Sequence, residues 1–133
     1  MAMTPIPILI VDDSEIIRKA LRHLLSQQPE RWAICGEASD GVQALAKVAL
    51  HLPKVVFLDL SIPGMSGLDV AKEMKIKFPG LVIVLMSEQD PSALRHLAEH
   101  FGFRYSLPKS HLVKEFLPML ATIEKERAEV LKS

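Results

Sequence analysis

The sequence predicts an α/β fold, a five-stranded parallel sheet with helices on both faces. Two observations support this prediction. Short apolar runs alternate with amphipathic segments along the full length of 133 residues, and the apolar runs are nearly continuous rather than alternating with polar residues. Continuously apolar strands are typical of parallel sheets, because helices cover both faces of such a sheet. The strand-helix alternation favours right-handed winding of the chain.

The first third of the chain is predicted to form a strand, a helix and a second strand. Residues 6–11, with the sequence IPILIV, form a short run rich in β-branched residues. Ser14 is a favoured residue for the helix N-cap. The apolar residues behind it recur on one helical face and are Ile17, Ala20, Leu21, Leu24 and Leu25. Residues 32–36 then form the second strand.

The middle of the chain continues the alternation with two more helices around a third strand. Asp40-Gly41 opens the second helix. The residues predicted to face inward on this helix are Val42, Leu45, Ala46 and Ala49. Residues 55–59 form the third strand, and Ser66 caps the helix that follows. The apolar residues of that third helix are Leu68, Val70, Ala71 and Met74.

The last third contains two strands and two helices. Residues 81–86 form the most apolar strand, and Asp90-Pro91 supplies an N-cap with proline at the first helical position. Residues 104–107 form a weak fifth strand. The closing helix is expected to run from near Lys114 to about Leu131. Pro118 then lies close to its first turn or kinks it, because a proline in mid-helix costs about 3 kcal/mol.

Length and composition bound the class of protein. A chain of 133 residues predicts one domain, spanning 1–133, and 49% hydrophobic with 24% charged residues is ordinary globular composition. Basic and acidic residues number 16 each, which favours neither nucleic acid nor membrane as a partner. The lone Cys35 excludes an internal disulfide and fits a reducing compartment. Residues 1–5 lack a basic leader segment, and we expect a cytoplasmic protein.

Polar side chains follow four of the five predicted strands. The first strand ends in Asp12-Asp13, the third in Asp59 and the fourth in Ser87, and the fifth leads into Lys109. Ligands of open α/β sheets bind beyond the carboxyl ends of the strands. One acid at a strand end is commonly only a helix cap, but acids, a hydroxyl and an ammonium at one edge predict a shared site.

Three carboxylates at one edge of a sheet are unfavourable without a cation. Two unit charges about 4 Å apart repel by about 4 kcal/mol at an effective dielectric constant of about 20. Either one acid stays protonated or a cation lies among them. Ligands that are all oxygen select a hard ion, so the predicted cofactor is Mg²⁺. No metal-ligand spacing is found for the histidines assigned to helix surfaces or ends, which are His23, His51, His96 and His100.

These motifs together resemble the receiver domain of two-component response regulators. The resemblance rests on the acidic pair after the first strand, on FLDLSIPGMSG around Asp59, on Ser87 after LVIVLM and on Lys109 in SLPKS. It covers essentially the whole chain. The segment GEASDGVQAL, residues 36–45, is similar to the branch whose members often carry a helix-turn-helix output domain. The resemblance implies the flavodoxin-like strand order 2-1-3-4-5.

The resemblance also implies the chemistry of phosphoryl transfer. Asp59 would accept a phosphoryl group from a phosphohistidine on a sensor histidine kinase or phosphotransfer protein, giving an acyl phosphate. Lys109 would pair with one phosphate oxygen, and Ser87 would donate a hydrogen bond to another. The chain would then catalyse only its own phosphorylation and dephosphorylation and would not be an enzyme in any other sense.

A magnesium site is implied by the same resemblance. Asp13 and Asp59 would bind Mg²⁺ directly, together with the backbone carbonyl of Ser61. Asp12 would contribute mainly through water. These ligands match the preference of Mg²⁺ for a few carboxylates, water and a phosphate oxygen.

Signalling would follow from a population shift on phosphorylation. Ser87 and the loop after it would move inward and change the partner affinity of the face built from the fourth helix, the fifth strand and the last helix. The expected partner is a downstream output domain or protein. A second copy of the chain, giving a homodimer, is a further candidate partner. We expect no direct contact of this domain with nucleic acid or membrane. The chain is either a stand-alone receiver or a fragment of a DNA-binding regulator.

Three features depart from the usual receiver pattern. Ser106 stands where receivers usually place an aromatic residue, and strand alternation sends the neighbouring Tyr105 to the opposite face. This argues against aromatic-coupled switching. Pro108 stands before the lysine rather than after it, which would shift the ammonium. Glu88 replaces a small residue and is expected to repel phosphate or slow its entry.

Two other classes of function compete with the signalling interpretation. One is a degenerate receiver that binds proteins independently of phosphorylation and keeps the acid cluster as a passive metal site. The other is a flavin-binding or hydrolytic enzyme on the same fold. The sequence argues against the enzyme, because no phosphate-binding loop rich in serine, threonine and glycine follows the first strand.

Overall fold

The computed structural model describes residues 4–132, and side chains for residues 4–130. Residues 1–3, part of the opening segment interpreted above, and Ser133 lie outside the described residues. The strands formed within this range are β1 (Ile6–Val11), β2 (Trp32–Ala38), β3 (Val55–Asp59), β4 (Val82–Ser87) and β5 (Tyr105–Pro108). The helices are α1 (Glu15–Leu25), α2 (Gly41–His51), α3 (Gly67–Lys77), α4 (Pro91–His100) and α5 (Leu112–Lys132). A 3₁₀ turn over Lys109–His111 precedes α5.

All five strands lie in one parallel sheet with the order β2-β1-β3-β4-β5, so the predicted fold class and strand order are confirmed. The order makes β1 and β3 neighbours, with Val11 paired to Leu58. Asp59 pairs with Met86 of β4, and Ser87 pairs with Pro108 of β5. The carboxyl ends of the four strands with polar termini therefore meet at one edge of the sheet.

Two hydrophobic layers enclose the sheet. Alternate residues of each strand point to opposite faces, so Val56 and Leu58 pack under α2, α3 and α4, whereas Val55 and Phe57 pack under α1 and α5. The Phe57 ring lies 4.7 Å from the ring of Phe116 on α5. Because both faces are covered, the sheet presents polar side chains to solvent mainly at its strand ends.

The predicted N-caps are present at the starts of four helices. The side chains of Ser14, Asp40, Ser66 and Asp90 each accept a hydrogen bond from a backbone N–H in the first turn of the helix that follows. Such a cap contributes about 1 kcal/mol to helix stability. Two or three residues separate α1, α2 and α4 from the strands before them, whereas residues 60–66 separate β3 from α3.

The predicted inward face of α2 is wrong for three of its four residues, since of the four only Leu45 packs against the core. The exposed residues include Val42, Ala46 and Ala49, and the buried ones are Gly41, Ala44 and Val48. Apolar residues surround this helix on most sides, so their periodicity does not select one face. The close approach of α3 selects it instead: a Cβ atom at Gly41 would lie 2.7 Å from a methyl carbon of Val70.

The closing helix also begins earlier than expected. It starts at Leu112 rather than near Lys114, which makes Pro118 the seventh residue of α5. Burial of Leu112 and Phe116 against the sheet favours this early start. Pro118 and Lys114 are exposed, so water can solvate the carbonyl group that the proline leaves without its helical donor. Neither α5 nor another helix among the described residues has the length and apolar character needed to cross a bilayer.

Gly67 is predicted to tolerate no side chain. A Cβ atom there would lie 2.5 Å from Cα and 2.6 Å from the carbonyl oxygen of Leu60, and backbone atoms cannot move aside as a flexible side chain can. We expect Gly67→Ala to lower the free energy of unfolding by about 1–3 kcal/mol, as other overpacking substitutions do. Urea denaturation followed by circular dichroism measures this change.

Gly80→Ala is the matched control for this prediction. No atom lies within 4 Å of a Cβ atom built at Gly80, and its φ angle is not positive. We therefore expect the control to leave stability unchanged or raise it slightly. Equal stabilities of the two variants would contradict the steric explanation.

Candidate functional site

The carboxyl edge of the sheet brings three acids together. Asp12 and Asp13 directly follow β1, and Asp59 is the last residue of the neighbouring β3. One carboxylate oxygen from each of the three lies within 4.8 Å of the others. Among the described residues, no other group of three His, Cys, Asp or Glu side chains converges in this way.

A buried ammonium lies between two of these acids. Lys109 Nζ is 2.7 Å from Asp12 Oδ2 and 3.1 Å from Asp59 Oδ2. The lysine side chain is only 9% exposed, and the two aspartates are almost completely buried. The shift of the ammonium expected from Pro108 does not prevent this contact. One positive charge thus faces two buried negative charges, with Asp13 as a third, exposed acid at the rim.

Each buried carboxylate is held by a backbone N–H group two residues further on. Ser14 N–H donates to Asp12 Oδ1 over 2.9 Å, and Ser61 N–H donates to Asp59 Oδ1 over 3.0 Å. These local turns leave the Oδ2 atoms facing Lys109. Apart from that ion pair, the buried Asp12 Oδ2 has no hydrogen-bond partner among the described residues.

Burial and the ion pairs shift the pKa values of Asp59 and Lys109. Burial raises the pKa of Asp59, and the neighbouring Asp12 raises it further, while the Ser61 N–H and Lys109 lower it; the net pKa is above the ordinary value. Burial lowers the pKa of Lys109, but its hydrogen bonds to both aspartates outweigh burial and the net pKa is raised. The lysine therefore stays charged, and it does not fully compensate the acids.

Stability should rise when the charge on Asp59 is removed. Because the pKa of Asp59 is higher in the folded state than in the unfolded chain, the folded state loses stability as pH rises through that raised pKa. We expect Asp59→Asn to melt at a higher temperature than the wild type at pH 7 in EDTA. The gain should shrink towards pH ~4, near the ordinary value for aspartate, because the raised pKa keeps wild-type Asp59 protonated there. Thermal unfolding at the two pH values measures it.

Glu99→Gln is the control for this pH experiment, because it removes one negative charge from an exposed position on α4. We expect no comparable gain in melting temperature for this variant. A gain for Asp59→Asn that is the same at both pH values would contradict the electrostatic explanation.

The two serines of the predicted site occupy different positions. Ser87 is the last residue of β4 and is buried at the same edge, where its hydroxyl oxygen accepts a hydrogen bond of 3.1 Å from Gln89 N–H. Ser61 lies exposed in the loop after Asp59. Glu88, expected to hinder phosphate, is exposed beyond the end of β4.

The donor set fits a hard divalent cation. The side-chain oxygens that converge here are all carboxylate oxygens, and the buried Asp12 Oδ2 is paired only with the Lys109 ammonium. Three carboxylates converge on one ammonium, and this excess of negative charge favours binding of a cation at this position. Oxygen ligands and a small number of carboxylates are what Mg²⁺ prefers.

Tyr105 points away from this site, as strand alternation predicts. It packs with the core beneath α1 and α5, and its hydroxyl donates a hydrogen bond to Glu126 on α5. Arg104 Nε lies 2.9 Å from the same carboxylate. Burial and the hydrogen bond to Glu126 raise the pKa of Tyr105 to about 12. The tyrosine thereby joins the start of β5 to the carboxyl half of α5.

Arg18 contacts the backbone of the acid cluster and was not among the residues predicted for the site. Its Nη1 atom donates a hydrogen bond of 2.6 Å to the carbonyl oxygen of Asp12. The available signal was weak: a basic residue one helical turn after the Ser14 cap, beside the inward-facing Ile17.

Comparison with known proteins links this arrangement to a family. The response regulator receiver domain matches residues 8–121. The protein-glutamate methylesterase/protein-glutamine glutaminase of Pyrococcus abyssi is 41% identical over 80 residues, which cover 60% of this chain and 22% of that protein. The transcriptional regulatory protein PdtaR of Mycobacterium tuberculosis is 29% identical over 136 residues, with 96% of this chain and 65% of the relative covered. The chain thus spans less than two thirds of either relative.

Solved structures show the same fold. A two-component response regulator of the LuxR family from Aurantimonas sp. SI85-9A1 aligns with a TM-score of 0.74 and 25% identity, over 98% of this chain and 100% of that one. The RcsB response regulator of Salmonella typhimurium aligns with a TM-score of 0.84 and 23% identity, over 93% of this chain and 62% of that one. The family match contains the acids, the buried ammonium and all of the sheet except the first two residues of β1, and the chain belongs to the response regulator receiver domains of two-component signalling.

Proposed function

We propose that Asp59 is the phosphoacceptor of this receiver domain. The observation that supports it is the buried Asp59 carboxylate, which shares one edge of the sheet with a second buried acid and a buried ammonium. A carboxylate oxygen attacks the phosphorus atom of a phosphohistidine on a histidine kinase or phosphotransfer protein. The P–N bond breaks, the histidine leaves, and an acyl phosphate forms on Asp59. Beyond this transfer and the later hydrolysis of the acyl phosphate to carboxylate and inorganic phosphate, the domain performs no catalysis.

Positioning and charge neutralisation supply the catalysis. The hydrogen bond from Ser61 N–H orients the Asp59 carboxylate, and the charged Lys109 offers its ammonium to the phosphoryl oxygens. Ser87 places a hydroxyl group at the same edge, where it can turn from its Gln89 contact and donate to phosphate. Such preorganised donors stabilise the charge that develops in the transition state.

The residues that would hold Mg²⁺ are Asp12, Asp13, Asp59 and the backbone carbonyl of Ser61, with Asp12 acting mainly through water. When bound, the ion neutralises negative charge on the carboxylates and the phosphoryl oxygens. The convergence of the three acids, two of which share the single ammonium of Lys109, supports this assignment.

The signal is proposed to leave through α4, β5 and α5. Ser106 replaces the usual aromatic residue, and Tyr105 is tied to Glu126 on the other side of the sheet. Ser87 and the loop between β4 and α4 are therefore the segments that change position on phosphorylation. No aromatic side chain transmits this change to the partner. The partner is a downstream output domain or protein, or a second copy of this chain. The chain has zero net charge, which gives it no overall electrostatic attraction to nucleic acid or membrane, so the partner is proposed to be a protein.

Phosphorylation by a small-molecule donor tests the proposed function. Incubation with acetyl phosphate and Mg²⁺ should add the mass of one phosphoryl group to the intact chain, and EDTA should prevent it. Borohydride reduction of the acyl phosphate followed by peptide mapping should place the modification on Asp59. A folded chain that gains no mass would instead support the phosphorylation-independent binding module.

A further inference from the structure

We propose that Arg18 is a positioning residue for the metal-binding acids. This inference rests on the proposed function, because it concerns the same cation site. Arg18 lies on α1 with its side chain only 15% exposed. Its Nη1 atom donates to the backbone carbonyl of Asp12 over 2.6 Å, without touching any of the three carboxylates.

The guanidinium group of Arg18 is held on its other sides by two glutamates. Nε donates to Glu37 Oε1 of β2 over 3.1 Å, and Nη2 donates to Glu15 in the first turn of α1. Arg22 in turn binds both carboxylate oxygens of Glu37, at 2.6 and 2.7 Å, and reaches Glu15 at 3.1 Å. The planar guanidinium serves three acceptors at once, which the single ammonium of a lysine cannot reproduce.

The contact matters because it fixes the peptide group that joins Asp12 to Asp13. This group is planar, so holding the carbonyl of Asp12 also orients the amide and Cα of Asp13. Asp12 has further anchors, since its N–H donates to Ala38 and its Oδ1 accepts from Ser14. Asp13 is exposed, and its side chain has no hydrogen bond or ion pair with any described residue. Its direction therefore depends on the two peptide groups that flank it. The Ser14 N–H bond to Asp12 Oδ1 holds the following group, and Arg18 holds the preceding one.

Arg18→Lys and Arg22→Lys form a matched pair that tests this role. Both keep the positive charge and both disturb the network with Glu15 and Glu37, but only Arg18 touches Asp12. We expect Arg18→Lys to weaken Mg²⁺ binding about tenfold or more, in the range seen when partners of metal ligands are replaced. Arg22→Lys should stay within about twofold of the wild type. Titration with MgCl₂, followed by the backbone amide signals of residues 12–14 in NMR spectra, gives the dissociation constants.

Two further measurements separate positioning from general stabilisation. Thermal unfolding of both variants reports the loss of the glutamate network, which we expect to be similar in the two. The ¹⁵N order parameter of the Asp13 amide in metal-free protein should fall in Arg18→Lys and stay at the wild-type value in Arg22→Lys. If both variants lose Mg²⁺ affinity equally, or if neither does, the positioning role is overturned.

The magnesium titration needs no phosphodonor, so the two proposals can fail separately. Wild-type protein that binds Mg²⁺ but takes up no phosphoryl group would overturn the proposed function. The magnesium affinities of Arg18→Lys and Arg22→Lys would still decide the role of Arg18. Wild-type protein that binds no Mg²⁺ at millimolar concentration would overturn the role of Arg18. Phosphorylation with an unchanged magnesium affinity in Arg18→Lys would overturn only the positioning role.

Discussion

Asp59→Asn should take up no phosphoryl group from acetyl phosphate and Mg²⁺, whereas the wild type takes up one. An amide oxygen is a poor nucleophile and cannot form an acyl phosphate. Asparagine has nearly the same size as aspartate, and its Oδ1 can still accept the hydrogen bond from Ser61 N–H. The loss should therefore be complete without loss of the fold. Intact-mass spectra taken over the course of the reaction measure it.

Asp69→Asn is the control for this experiment. Asp69 lies exposed in the first turn of α3, outside the acid cluster, so its replacement should leave the rate and extent of uptake unchanged. Continued uptake by Asp59→Asn would place the acceptor on another residue. In that case the exposed Asp13 is the first residue to examine, because it belongs to the same cluster.

Lys109→Met is expected to lower the free energy of unfolding by about 3–5 kcal/mol in buffer without divalent cations. Removing one partner of a buried ion pair leaves an uncompensated charge, which is the usual origin of losses of this size. Here the ammonium has two buried partners, Asp12 and Asp59. Methionine fills most of the lysine volume, so the loss reports charge rather than a cavity. Urea denaturation in EDTA measures it.

Three comparisons complete this prediction. Lys19→Met removes an exposed lysine of α1 and should change stability by less than about 0.5 kcal/mol. The double variant Asp59→Asn/Lys109→Met should lose less than Lys109→Met alone, because one buried negative charge is gone. Added Mg²⁺ should restore part of the stability of Lys109→Met if a cation occupies the proposed site. An effect of Lys109→Met no larger than that of Lys19→Met would show that the buried ion pairs contribute little.

The sheet and its polar edge were predictable because both follow from local patterns. A strand buried on both faces must be apolar along its length, so a charged residue such as Asp59 can appear only where the strand ends. The acids, Ser87 and Lys109 are therefore conspicuous in the amino-acid sequence itself. The order of the strands came from the resemblance of the motifs to receiver domains, since apolar runs do not say which strand lies beside which.

Other features depended on neighbours distant in the sequence. The buried face of α2 was chosen by the approach of α3 at Gly41, and the start of α5 by the burial of Leu112 and Phe116. In both cases the local pattern was compatible with more than one solution. Packing against another element chose between them, because the free energy gained by burial exceeds the differences in local helix propensity.

The sequence by itself determined that acids, a hydroxyl and an ammonium follow the strands of a parallel sheet. Only the tertiary structure decided how these groups meet: one ammonium between two buried carboxylates, and Arg18 on the carbonyl of Asp12. The physical reason is the range of the interactions. Strand and helix patterns arise between residues a few positions apart, whereas a salt bridge between Asp12 and Lys109 exists only after the whole sheet has formed.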